Sequence, residues 1–132
     1  MRQNIPPPFA GTAVLLQRLG QSPIKIGLLS SDSTAQVGMF LDHYGLTNWF
    51  QAWRGTEPED IPKPEPALLY QLCDRLQVNV SRTIVVGDSW VDLSLAQRAG
   101  AAAFLSVSEA WGRTPVAGAT LILRHWDDLT VW

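Results

Sequence analysis

The sequence predicts an α/β fold with a parallel sheet covered on both faces, and three observations carry that prediction. Runs of strand length read apolar throughout, as in "IKIGLL" (24–29), "TIVV" (83–86) and "AAFLSV" (102–107). A strand buried on both faces has this pattern, whereas a strand with one wet face alternates. Amphipathic stretches of helical period separate the runs, as crossover connections between parallel strands require. Polar clusters follow two of the strands, Ser30-Ser31-Asp32 and Asp88-Ser89 with Asp92, and ligands of such folds bind beyond the carboxyl ends of the strands.

Taken in order, residues 9–19 place Val14, Leu15, Leu16 and Leu19 at helical spacing, with Gly20 as the stop. After the strand at 24–29, Ser33 is expected to cap a helix whose apolar face is Val37, Phe40, Leu41 and Tyr44, ended by Gly45. "WFQAW" (49–53) reads equally as a short strand or a packed turn. The prolines of "EPEDIPKPEP" (57–66) make that segment a loop, because they remove backbone donors and bias their predecessors away from helix. Pro66 is expected in the first turn of a helix that lines up Leu68, Leu69, Leu72 and Leu76. "TIVV" is a strand, "SWVDLSLAQRA" a helix closed by Gly100, "AAFLSV" a strand, "SEAWGRTPVAG" a loop and "TLIL" a last short strand.

Composition excludes several classes of function. At 132 residues, 46% apolar and 17% charged, the chain has the makeup of one globular domain rather than a disordered segment. The net charge of −2 comes without a basic stripe, so no nucleic-acid partner is expected. No apolar run reaches membrane-spanning length, and residues 1–10 lack a signal-peptide core. One cysteine precludes an internal disulfide framework. A cytoplasmic protein with no membrane partner is expected.

Asp88 and Asp92 stand four apart where a strand gives way to a helix. Two readings stand side by side. The carboxylates cap the helix and favour its dipole, or they hold a hard cation such as Mg2+, which relieves their mutual repulsion and prefers carboxylate oxygen. Ser30 and Ser31 likewise read as a helix cap or as hydroxyl and N–H donors to an anion. Lys63, one of two lysines, lies between prolines in "IPKPEP". A hydroxyl, an ammonium and Mg2+ together are what a clamped phosphate uses.

In order and spacing, "LLSSDS", "KPEP" and "VVGDSWVDL" resemble motifs II, III and IV of the haloacid dehalogenase superfamily, most like its phosphoglycolate phosphatase-like branch; "AWGRT" fits the same branch. The resemblance runs from about residue 5 to the C-terminus. It implies a three-layer α/β/α Rossmann-like core with a parallel sheet, and residues 1–132 are expected to form a partial core domain without a cap domain. It implies that Ser30, with Ser31 beside it, binds the phosphoryl group of a small phosphorylated metabolite, and that Lys63 stabilises its charge. Ser31 stands where many relatives have asparagine. Asp88 would ligate Mg2+, and Asp92 would support the metal directly or through water.

The family's motif I, an apolar strand followed by Asp-x-Asp, supplies the aspartate that becomes an aspartyl-phosphate. No Asp-x-Asp occurs among the eight aspartates of this sequence. In the family that strand lies centrally, between the motif II and motif IV strands. Without it the sheet is expected either to keep two unpaired inner edges or to close in an unfamiliar order, and exposed edges invite pairing with another chain. The isolated chain is expected to be inactive. A truncated record, a complementing N-terminal half on another polypeptide, and a non-catalytic phosphate- or Mg2+-binding or interaction module are the readings that remain, with self-association through the edges as a further partner expectation. "VVGDSW" also resembles the Gly-Asp-Ser block of serine esterases, with Ser89 as nucleophile, but the block comes late in the chain and His125 sits in "RHWDD", in the wrong order.

Overall fold

The computed structural model describes residue 8 and residues 11–108 and 111–129. Among the described residues, four helices and five strands follow one another as α1 (Thr12–Leu19), β1 (Gly27–Leu29), α2 (Thr34–His43), β2 (Ala52–Arg54), α3 (Ala67–Leu76), β3 (Ile84–Gly87), α4 (Trp90–Ala99), β4 (Ala103–Ser106) and β5 (Leu121–Ile122). Short 3₁₀ turns cover Thr47–Trp49, Val80–Arg82 and Trp126–Asp128.

Local chemistry explains the boundaries. The Ser33 hydroxyl accepts a hydrogen bond from the Gln36 N–H while the Ser33 N–H donates to the Gln36 side-chain oxygen, a capping box that starts α2. The Ser89 hydroxyl caps α4 on the Asp92 N–H, and Gly100 ends that helix in the left-handed region at φ 78°. Pro66 is the N-cap residue of α3 rather than a member of its first turn, and Leu68, Leu69, Leu72 and Leu76 are all buried, as their spacing predicts. The ambiguous "WFQAW" resolves into the end of a 3₁₀ turn and the strand β2.

Some expectations need correction. Val14 is 70% exposed, so α1 is anchored by Leu15 and Leu16 instead; a β-branched residue beside two leucines blurred which face was buried. The strand expected at 24–29 pairs only over 27–29, with Ile24 exposed, because Pro23 precedes it and partner β2 is short. Phe9 and Ala10, placed in the first helix by sequence, lie outside the described residues. Trp126 is buried beneath α1.

The strands make two parallel sheets, β1–β2 and β3–β4–β5. Helices α1 and α2 cover one face and α3 and α4 the other, giving three layers. On the first face, Leu16, Val37, Leu41 and Leu46 pack with Leu28 of β1, Trp49 and Trp53. Leu15, next along α1, joins Leu105, Val107, Leu123 and Trp126 beside β4 and β5. One helix thus grips both sheets through adjacent leucines. On the second face, Leu69 and Cys73 of α3 meet Leu95 and Ala99 of α4 around Leu29 of β1 and Val85 of β3.

β1 and β3 do not pair with each other. Along a strand the backbone groups alternate sides. The Ser30 N–H bonds the Arg54 carbonyl and the Ile26 carbonyl accepts from Gln51, so the groups of Gly27 and Leu29 point away from β2. The Gly87 carbonyl accepts from Val107, so those of Ile84 and Val86 point away from β4. A seam therefore runs between β1 and β3, bordered by strand edges without a strand partner among the described residues. Ile84 and Val86 are 56% and 42% exposed at its rim. Of the two arrangements expected for a sheet without that strand, the described residues adopt the one with open inner edges.

Candidate functional site

The carboxyl ends of β1 and β3 carry the residues singled out by sequence. At the end of β1 the chain turns through Ser30–Ser33 into α2. The half-buried Ser30 is held on three sides: its N–H donates to Arg54 O at 3.2 Å, its carbonyl accepts the Thr56 hydroxyl at 2.8 Å, and its Oγ accepts the Asp32 N–H at 3.1 Å. Gly55 lies so close to this turn that a Cβ would fall 2.2 Å from the Asp32 carbonyl oxygen, so only glycine lets the two loops meet. The loop after β2 is fixed in turn, since Arg54 pairs with Asp60 and donates to Gln71, and the Thr34 N–H donates to Glu57. Ser31 is exposed at the tip of the turn.

At the end of β3, Lys63 reaches in from the proline-rich loop. Its Nζ lies 2.8 Å from Asp92 Oδ1, and the two side chains are only 11% and 15% exposed. The other Asp92 oxygen accepts the Ser89 hydroxyl at 3.2 Å. Gly87 makes room for this carboxylate, because a Cβ there would sit 2.5 Å from Asp92 Oδ2. Asp88, one residue before the cap of α4, has its Oδ2 3.3 Å from Nε of Arg113.

The structure thus joins Lys63 to Asp92, with Asp88 directly after β3 and four residues before Asp92. Among the described residues, no hydrogen bond or ion pair links Ser30 or Ser31 to Lys63, Asp88 or Asp92. Sequence reasoning overlooked Thr56 and Gly55, which build the Ser30 turn, and gave no role to Arg113. "RGT" directly after a strand was the signal for the first two, and the arginine of "AWGRT" for the third.

Asp88 and Asp92 are a partial donor set for a metal. Among the described residues no group of three or more His, Cys, Asp or Glu side chains converges. Both Asp92 oxygens are engaged, which leaves Asp88 as the carboxylate presented outward. Two hard oxygen donors suit a cation that keeps most of its waters, as Mg2+ does, and do not suit a closed tetrahedral zinc site. Ser89 is the α4 cap and its hydroxyl faces Asp92, and among the described residues no hydrogen bond links it to a histidine, so the esterase reading finds no nucleophile–base pair there.

A family model for haloacid dehalogenase-like hydrolases matches residues 1–105. A phosphoglycolate phosphatase of Yersinia pestis is 32% identical over 92 residues, covering 70% of this chain and 40% of that protein. The phosphoglycolate phosphatase of Rhodospirillum rubrum is 30% identical over 135 residues, covering 96% of this chain and 56% of that one. Among solved structures, a HAD-superfamily hydrolase from Geobacter sulfurreducens superimposes with a TM-score of 0.78 at 22% identity, over 91% of this chain and 57% of the other. A predicted phosphoglycolate phosphatase from Haemophilus somnus does so with a TM-score of 0.81 at 23% identity, over 91% and 54%. These structural likenesses are of fold. The chain spans about half the length of the curated relatives it matches.

Proposed function

We propose, from the premise that this chain belongs to the haloacid dehalogenase-like hydrolase family and its phosphoglycolate phosphatase-like branch, that it carries the phosphate- and Mg2+-binding part of a phosphatase site. The substrate is a small phosphorylated metabolite, and the reaction passes through an aspartyl-phosphate. The observation that carries this reading is the shielded Lys63–Asp92 pair next to Asp88 at a strand's carboxyl end. A lysine held by one carboxylate oxygen keeps its remaining N–H donors oriented, and a fixed ammonium is worth more to a phosphoryl group than a mobile one.

In this reading the Ser30 hydroxyl donates to a phosphoryl oxygen, and exposed Ser31 offers a second donor. Lys63 stabilises the charge on the phosphate and on the attacking carboxylate, while Asp92 orients Lys63. Mg2+, held by Asp88 with Asp92 supporting it, would neutralise charge on the transferred group. The attacking carboxylate comes from a segment outside these 132 residues, because none of their aspartates stands in an Asp-x-Asp. The open seam between β1 and β3 supports this, since an apolar strand laid there would pair both edges and end beside Ser30 and Asp88. The chain by itself is then inactive, and its partner is either a complementing N-terminal half or, failing that, another copy joined through the same edges. We place the work of the protein in the cytoplasm, in keeping with its single cysteine; no helix of the described residues is long and apolar enough to cross a membrane.

The seam and the absent Asp-x-Asp also favour one second reading, a phosphate- or Mg2+-binding module without turnover. Isothermal titration of the chain with inorganic phosphate, with and without Mg2+, tests the binding part common to both. Binding that Mg2+ strengthens and that Lys63→Met and Ser30→Ala weaken is expected. Phosphate binding indifferent to all three changes would overturn the site, and Mg2+-dependent hydrolysis of p-nitrophenyl phosphate by the chain alone would overturn its predicted inactivity.

A further inference from the structure

We propose that Arg113 is the resident counter-ion of Asp88, which a divalent cation must displace, so that cation binding is coupled to the seating of residues 111–116. The inference rests on the reading of Asp88 as a cation ligand and gives Arg113 the role of a positioning residue.

The segment that carries Arg113 is built with unusual care. Two serines at the end of β4 are fully buried, Ser106 at 0% and Ser108 at 1% exposure. Buried hydroxyls are costly unless bonded, and that of Ser106 bonds the loop. Ser106 Oγ accepts the Val116 N–H at 2.9 Å and donates to the Val107 carbonyl. The Ser108 carbonyl accepts the N–H groups of Trp111 at 3.0 Å and Arg113 at 3.2 Å. Trp111 packs on Trp126 with ring centroids 4.5 Å apart. Together these contacts deliver the guanidinium to Asp88, where Nε lies 3.3 Å from Oδ2.

The pair is half exposed, 54% for Arg113 and 36% for Asp88, so it is weak and reversible. A divalent ion bound to Asp88 would compete for the same carboxylate and repel the guanidinium at close range. The two occupants therefore exclude each other. Because coupling is reciprocal, whatever Arg113 takes from cation affinity the cation takes from the loop's seating.

Mn2+ serves as the probe, its binding followed by electron paramagnetic resonance and loop seating by amide exchange of residues 111–116. Arg113→Gln is expected to bind Mn2+ about two- to fivefold more tightly than the unaltered chain at low salt, the range an exposed ion pair supplies. That gain should shrink at high salt. Mn2+ should speed exchange of the Arg113 and Val116 amides in the unaltered chain and leave it unchanged in Arg113→Gln. Equal affinity in the two proteins, with Asp88→Asn weaker than both, would overturn the counter-ion role while leaving the cation site standing. Tighter binding without any effect of Mn2+ on loop exchange would overturn the displacement, since a spectator charge does the same. No Mn2+ binding in either protein would overturn the cation reading and this inference with it.

Discussion

Separating Lys63 from Asp92 is the perturbation whose size the structure constrains best. Their 2.8 Å contact lies between side chains 11% and 15% exposed, so it falls between two regimes. Exposed pairs contribute roughly 0.2–1 kcal/mol, whereas removing one partner of a fully buried pair costs roughly 3–5 kcal/mol. An intermediate loss of about 1–3 kcal/mol is expected for each single change. The two losses should differ. Lys63→Met leaves Asp92 with the Ser89 hydroxyl as a partner, while Asp92→Asn leaves a shielded ammonium facing a neutral amide. Asp92→Asn is therefore the more damaging. Urea unfolding of the chain, both single variants and the double variant, in metal-free buffer gives the coupling energy from the cycle. A coupling of about 1–2 kcal/mol that persists in high salt is predicted, because a shielded pair is poorly screened. A coupling below about 0.3 kcal/mol, or one erased by salt, would show that the pair is a solvated surface contact and would remove the basis for a preoriented lysine.

Gly87→Ala should cost about 1–3 kcal/mol, as overpacking does, because the new Cβ would meet Asp92 Oδ2 at 2.5 Å; urea unfolding measures the loss, and Lys63 should become more accessible to amine acetylation. The seam predicts concentration-dependent self-association in sedimentation velocity, reduced by Val86→Lys at the exposed rim, and a chain that stays monomeric at high concentration would contradict it. Asp128 should lend the 126–128 turn a pH dependence. The backbone N–H groups of Arg124 and then His125 bond its carboxylate and hold its pKa below the ordinary 3.8. A depressed carboxylate stabilises the fold above its unfolded pKa, and that contribution fades as pH falls through the folded value. Amide exchange at Arg124 and His125 should accelerate over that acidic window, and Asp128→Asn should abolish the change.

The fold class and element types were legible in the sequence because apolar runs and leucine spacing report burial directly. The α3 leucines and the Ser33 cap came out as spacing and local chemistry predict, whereas Ser89, read as the first residue of a helix, is its cap. β2 stayed ambiguous, since its tryptophan serves the packing under α2 as well as the strand. Strand order within this chain was legible only through the resemblance, because pairing is nonlocal. At the candidate site, motif spacing singled out Ser30, Lys63, Asp88 and Asp92 as candidates. It did not reveal that Asp92 spends both oxygens on Lys63 and Ser89, a fact of side-chain geometry. Thr56, Gly55 and Arg113 escaped because a residue that holds another in place has no signature of its own until the loops are folded together.

The central claim is that Ser30, Lys63 and Asp88 form a phosphatase site short of one carboxylate-bearing strand. Fusing the portion of the Rhodospirillum rubrum relative that lies outside its match to this chain, and measuring Mg2+-dependent phosphate release from p-nitrophenyl phosphate, tests it directly. The fusion should turn over the ester while the 132-residue chain does not, and Lys63→Met or Asp88→Asn should abolish the gain. A folded fusion that releases no phosphate, or one whose turnover survives both substitutions, would contradict the claim.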